Sequence, residues 1–269
     1  ENVPSGMAVN VASQNVNVAV NNTAKVSFTN NKPGTPDFNK KIKDTNDTTG
    51  ETSDWQDSAD YDIGDLVPYK LTANLPNDVT SYKRYRITFT DKMEESLTFH
   101  QIKSVKVNGR EASEYTLSRK SDDFQNFAVS LTWGNGNDLI DDISLNNAVV
   151  EVEFDATLNE KAKLGKQGNV NACKLAYSNN PTSVDDKDED ELPWDYVIAF
   201  TYKVDISKVD AQAKALTGAE FKLEKLIKGA TEADDKYEEV TRITNGGGEN
   251  KNVFTATGLD DGIYRLTET

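Results

Sequence analysis

Three residues with complementary chemistry fall on the apolar sides of strand-like segments. Lys40 lies between Phe38 and Ile42, Asp91 follows Tyr85, Ile87 and Phe89, and Asn171 precedes Cys173, Leu175 and Tyr177, always at a spacing of two. Side chains alternate faces along a strand, so each polar residue points where its apolar companions point. Burial disfavours charge, lowering the proton affinity of a lysine and raising that of a carboxylic acid. The lysine then becomes a neutral amine, a competent nucleophile, and the protonated acid can donate to the asparagine carbonyl and polarise it. Attack by Lys40 on Asn171 would expel ammonia and leave a Lys–Asn isopeptide bond, with exclusion of water guarding against hydrolysis. The residues alone also admit a buried Lys40–Asp91 ion pair capped by Asn171, and buried ion pairs are the commoner arrangement. A register slip would put Lys40 on a solvated face and bring in Lys41, Lys43 or Asn169 instead.

The segments that carry these residues belong to a run of short alternating stretches. Val67, Tyr69 and Leu71 form one, and Tyr85 to Asp91 the next. Leu97-Thr-Phe99 and Val105-Lys-Val107 follow, the latter closed by Asn108-Gly109, a hairpin turn signal. Phe127 to Trp133, Val149 to Phe154 and Ala172 to Tyr177 complete the set. Many short strands with frequent turns predict a sandwich and not an α/β fold. The best helical candidate, Asn159 to Leu164, is short. Asp44 to Asp60 reads as a polar loop around Trp55. Asp185 to Glu191 is an acidic run; close carboxylates suit calcium, but the Asp-x-Asp-x-Asp-Gly order is missing, and a solvated linker is the expected reading.

Composition narrows the function. The chain has 269 residues and a formal net charge of −15, which argues against nucleic acid and anionic membrane as partners. A single cysteine, Cys173, excludes an internal disulfide. With one histidine, His100, and no nucleophile motif near it, Ser-His-Asp or Cys-His catalysis and a His-based zinc site are not expected. No cofactor is expected. No apolar run is long enough to span a membrane, and no signal peptide is evident. The first residue is Glu, so the chain reads as a processed or cropped piece of a longer protein.

The motifs resemble those of the shaft pilins and related isopeptide-forming surface proteins of Gram-positive bacteria, over nearly the whole chain. Phe38-Asn-Lys-Lys-Ile42, Gly64-Asp-Leu-Val-Pro-Tyr69, Tyr85-Arg-Ile-Thr-Phe-Thr-Asp91, Asn169-Val-Asn171 and Leu175-Ala-Tyr-Ser-Asn-Asn-Pro181 are similar to the fimbrial D2 (CnaA-type) domain. The resemblance implies a Lys–Asn bond with an acid catalyst, and its motifs fall on Lys40, Asn171 and Asp91. Ile206-Ser-Lys-Val-Asp210, Leu216-Thr-Gly-Ala-Glu-Phe-Lys-Leu223 and Gly258 to Thr269 resemble a SpaA-like CnaB-type domain, which makes Lys208 the lysine and Glu268 the acid of a second bond. Glu1 and Asn30 resemble the acid and acyl partner of a preceding CnaB-type domain. The sortase acceptor motif of shaft pilins is not intact, and Lys32 is the candidate in its place.

The expected architecture is therefore all-β, with Ig-like sandwiches in tandem. Residues 1–33 would supply the closing strands of a CnaB-type domain, 34–200 a complete CnaA-type sandwich, and 201–269 the first part of another CnaB-type domain. The function implied is that of a structural subunit of a pilus or fimbria on a Gram-positive cell wall, polymerised by sortase with other pilin subunits and performing no turnover. A cross-link between first and last strands would carry pulling force through a covalent bond. The alternative is a wall-anchored adhesin holding host protein or glycan in its loops, which exposed Trp55, Trp133 and Trp194 on one face would favour. A glycosidase using two of the many carboxylates is a third reading; it needs an acid pair flanking a cleft.

Overall fold

The computed structural model describes residues 33–185, 187–244, 246–249 and 251–269. Glu1, Asn30 and Lys32 lie outside the described residues. In chain order the strands of the first unit are β1 (Asp37–Ile42), β2 (Ser58–Asp60), β3 (Leu66–Asn74), β4 (Tyr85–Met93), β5 (Leu97–Val107), β6 (Arg110–Glu111) and β7 (Thr116–Ser118). They continue as β8 (Asn126–Trp133), β9 (Val149–Leu158), β10 (Asn169–Ser178), β11 (Glu189–Glu191) and β12 (Asp195–Phe200). Two sheets face each other, one in the order β1-β3-β9-β5-β6 and one in the order β2-β12-β10-β4-β8-β7, with β11 pairing with the end of β10 that β12 leaves uncovered. Every ladder is antiparallel except β2–β12.

Alternation decides which faces meet. In β3, Val67, Tyr69, Leu71 and Ala73 are fully buried while the residues between them are not. In β4, Tyr85, Ile87, Phe89 and Asp91 are the inward set, and in β10 so are Asn171, Cys173 and Leu175. Burying this many aliphatic and aromatic side chains between two sheets, at roughly 1.5–3 kcal/mol for each large one, is the main force holding the sandwich closed. Leu97-Thr-Phe99 and Val105-Lys-Val107 are one strand, β5, interrupted by bulges. It turns into β6 through Asn108 (φ 50°) and Gly109 (φ 75°), the paired left-handed residues that a two-residue hairpin needs.

Three expectations are corrected. Asn159 to Leu164 is not helical: it passes through a turn into a single 3₁₀ turn, Gly165–Gln167, and no α-helix occurs among the described residues. Asp185 to Glu191 is not a linker between domains, because Glu189–Glu191 pairs back onto β10 and the chain then returns as β12. Asn171 is consequently not on the last strand of its sandwich; β12 follows β10 and lies beside it, with Val197 opposite Asn171.

A second, smaller unit follows: β13 (Tyr202–Ser207), β14 (Phe221–Ile227), β15 (Lys236–Ile243), β16 (Val253–Leu259) and β17 (Tyr264–Glu268). β13 pairs with β16, and β14 lies between β15 and β17. Its core is Ala219, Phe221, Leu223, Ile243, Phe254, Ala256 and Leu259, centred on an edge-to-face contact of Phe221 with Phe254 at 4.9 Å. Tyr202 and Val204 share the parity of Ile206 yet remain 42% and 41% exposed. Backbone hydrogen bonds join the units: Ile63 donates to the Gly258 carbonyl (3.0 Å), and Lys228 to that of Thr48 (2.7 Å).

Candidate functional site

Lys40, Asp91 and Asn171 come from three strands and two sheets, and none is exposed to solvent. β1 is the edge strand of its sheet, with Lys40 opposite Leu71 on β3. The Lys40 amide donates to Asp195 at the start of β12 (2.7 Å), which fastens β1 to the facing sheet at that residue. On β4 and β10, Asp91 is opposite Cys173 and Asn171 is opposite Met93, so Asp91 and Asn171 are diagonal neighbours on one face. The Lys40 side chain crosses the core and donates to Asp91 Oδ2. Its Nζ lies 5.2 Å from the Tyr69 ring centre and 4.9 Å from that of Phe154, and the two rings stack at 5.1 Å.

The polar atoms around this pair are unpaired. Asp91 Oδ1, both amide atoms of Asn171 and the Tyr69 hydroxyl are buried without a hydrogen bond. Asn171 is close enough to Asp91 and to Tyr69 to ease the ionisation of each, although neither contact has hydrogen-bond geometry. Burial pushes the Asp91 carboxyl up to about 6, against the opposing pull of the Lys40 ammonium and Asn171. Burial likewise drives the Tyr69 hydroxyl well above its ordinary range, with Asp91 adding to the effect. Buried polar groups are nearly always hydrogen-bonded, and an orphaned one costs about 1–3 kcal/mol. Four orphaned atoms, on an acid, an amide and a phenol, thus surround one buried amine. Tyr69 was not read from the sequence as a site residue, because its spacing with Val67 and Leu71 marks it only as core.

The substitutes for a register slip play other parts. Lys41 points outward to Asp57 (2.5 Å), and Lys43 lies over the Trp55 ring (5.4 Å). Asn169 is buried but satisfied: its side chain donates to the carbonyls of Ala199 (3.0 Å) and Lys163 (3.3 Å) and accepts from the Lys163 amide (2.8 Å). In the second unit Lys208 meets Glu268 at 2.5 Å, but the two side chains are 28% and 48% exposed, so this pair is solvated where Lys40–Asp91 is dry. Lys225, on the inward side of β14, is a buried lysine of the opposite kind. Burial disfavours its ammonium, but Asp47 (2.7 Å), Asp62 (3.2 Å) and Asp260 (3.6 Å) outweigh that and hold its proton affinity above the usual lysine range. The tryptophans do not share a face. Trp55 lies over Lys43 and Lys70 on the outside of the first sheet, Trp194 over Lys174 on the outside of the second, and Trp133 packs against Tyr85.

Fold and site together define an all-β protein of Ig-like sandwiches with an amine, an acid and an amide sealed in one core. Residues 63–181 match the family described as Gram-positive pilin backbone subunit 2, Cna-B-like domain, and the chain is similar to Gram-positive backbone pilins. That description is Cna-B-like where the motifs resemble the CnaA-type domain; both are Ig-like. The trypsin-resistant surface T6 protein of Streptococcus pyogenes serotype M6 is 27% identical over 256 residues, covering 88% of this chain and 46% of that protein. The chain thus spans about half the length of the curated relative it matches. Among solved structures, a 35 kDa C-terminal fragment of a Streptococcus agalactiae major pilin superposes with a TM-score of 0.59 at 20% identity, covering 88% of this chain and 86% of that one. The T6 backbone pilin of serotype M6 S. pyogenes gives 0.58 at 24% identity over 87% and 48%.

Proposed function

We propose that this chain is a stretch of the backbone subunit of a pilus on the surface of a Gram-positive cell, polymerised with other pilin subunits, and that its first sandwich is stapled by a self-formed isopeptide bond between Lys40 and Asn171. The observation that carries this reading is the sealed trio: an amine, an acid and an amide at zero exposure, with their remaining polar atoms unpaired. A chain of this kind is structural and turns over no substrate.

The reaction follows from the contacts. Lys40 and Asp91 carry no net charge as a pair, so moving one proton from Nζ to the carboxylate leaves two neutral groups. A dry site favours that exchange, because it removes both ions from low dielectric. The neutral amine attacks Cγ of Asn171, and the developing oxyanion is met by the Asp91 acid and the Tyr69 hydroxyl. The Nζ–Cγ bond forms, the Cγ–Nδ2 bond breaks, and a second proton from Nζ reaches Nδ2, which leaves as ammonia. Asp91 ends protonated, able to donate to the new amide carbonyl. The intact mass of the folded wild-type chain should therefore fall one ammonia short of the sequence mass. Lys40→Ala and Asp91→Ala should restore the full mass, and digestion of the wild type should yield a branched peptide joining Lys40 to Asn171. A wild-type mass equal to the sequence mass would sink the bond.

A further inference from the structure

The joint between the two units is crowded with aspartates. Asp60 ends β2, and Asp260 and Asp261 form the turn between β16 and β17; the three offer carboxylate oxygens within 4.8 Å of one another. Oxygens bound to one calcium ion at 2.3–2.6 Å lie at most about 5 Å apart, so this spacing is that of a shared ion. A second trio, Asp47, Asp62 and Asp65, adjoins it but is already served. Lys225 donates to Asp47 and Asp62, and backbone amides donate to Asp62 (2.6 Å) and Asp65 (3.1 Å).

The first trio is less fully served. The Asp260 carboxylate is 1% exposed. Its Oδ1 accepts the Asp261 amide at 2.6 Å, while its Oδ2 is buried without a hydrogen bond. Lys225 Nζ forms an ion pair with Oδ2 at 3.6 Å but no hydrogen bond, and donates instead to Asp47 and Asp62. Asp261 receives only the Asn46 side-chain amide (2.9 Å) among the described residues. Asp44, whose Oδ1 is also buried and unpaired, shares the field of Asp60 and Asp261. Among the described residues Lys225 is the one cation paired with this group, through Asp260 at 3.6 Å, and it is shared with Asp47 and Asp62, so the three carboxylates of the trio face a fraction of one positive charge.

We propose that Asp60, Asp260 and Asp261, with Asp44 at their side, form a divalent-cation site of calcium type that ties the end of β2 in the first unit to the β16–β17 turn of the second. All-oxygen, carboxylate-rich ligation from loops of two units suits calcium, which tolerates irregular geometry, better than magnesium, which does not. The test is calorimetric titration of the chelator-treated 269-residue chain with calcium chloride, alongside thermal melts. One saturable site is expected, with a Kd of about 0.1–1 mM, and a Tm that rises with calcium. Asp60→Asn and Asp261→Asn, which keep shape and remove charge, should each weaken binding at least about tenfold, the cost of one lost carboxylate ligand. In chelator both variants should melt no lower than wild type, since they remove repulsion; this separates a lost ligand from a damaged fold. No saturable binding up to about 10 mM calcium, or binding unchanged in both variants, would overturn the site.

Discussion

At Lys40 the proposed cross-link would connect two states by the same contacts, and the difference between them can be measured. The amine is an ion-pair partner of Asp91; after the proposed reaction an amide would join positions 40 and 171. A cross-link closing a loop of that length removes about 5 kcal/mol of unfolded-chain entropy by the loop-closure argument used for disulfides. For a sandwich of this size that corresponds to a Tm loss of about 10–20 °C in Lys40→Ala or Asn171→Ala, read by calorimetry. Tyr69→Phe separates chemistry from packing. In the Asn171→Ala background, where no bond can form, removing an orphaned hydroxyl should leave Tm unchanged or higher. With Asn171 present, the same substitution should lower the fraction of chains that have lost ammonia. An unchanged fraction would strip Tyr69 of its part. Parity along three strands was enough to place Lys40, Asp91 and Asn171 on inward faces. The Tyr69 hydroxyl was illegible because tyrosine is an ordinary core residue, and only the tertiary arrangement reveals that its oxygen has no partner.

The elements that hold these residues depend on a few turns. Gly168, with φ +60° and ψ −178°, stands immediately before β10, and a Cβ there would lie 2.2 Å from Ile198. Gly168→Ala combines backbone strain with a steric clash, each of order 1–3 kcal/mol. Because Asn171 is three residues away, the variant should cross-link less completely as well as melt earlier; full loss of ammonia at wild-type Tm would contradict this. The β16–β17 turn makes a pH prediction. An aspartate ordinarily titrates near 3.8, whereas Asp260 in the fold keeps its proton up to about 8. The folded state binds that proton more tightly, so its contribution is present at low pH and lost as pH rises between those values. In chelator the second unit should therefore melt lower at pH 8 than at pH 5, and Asp260→Asn should flatten the difference. Most of the strand pattern was readable because one face of each strand is buried. β11 was not, since an acidic run with flanking prolines carries no alternation, and β12 is a short apolar stretch whose pairing with β10 depends on partners elsewhere in the chain. Lys225 was not legible as a hub, because Asp47, Asp62 and Asp260 are distant in sequence.

At the scale of the whole molecule, the position of Asn171 on β10 changes how force would travel. Tension enters the first sandwich at β1 and leaves at Phe200, where the chain passes to β13. A Lys40–Asn171 bond shields everything between those residues, but β12 lies beyond it. β10 and β12 are antiparallel, with Asn171 opposite Val197 and Asn169 opposite Ala199, so force applied at Asn171 and at Phe200 acts at the same end of that pair. This geometry opens hydrogen bonds one after another instead of shearing them together. The bonded sandwich should thus release only residues 172–200, roughly 100 Å at about 3.4 Å per residue, and then stop. Lys40→Ala should release residues 37–200, roughly 560 Å at the same spacing. Single-molecule stretching of the 269-residue chain from its two ends distinguishes the two, with the second unit giving the same step in both proteins. A long step in the wild type would mean that tension is not carried through Lys40. Absence of the short step would mean that the parallel β2–β12 ladder and the Lys40 amide–Asp195 contact hold β12 more firmly than its pairing with β10 implies.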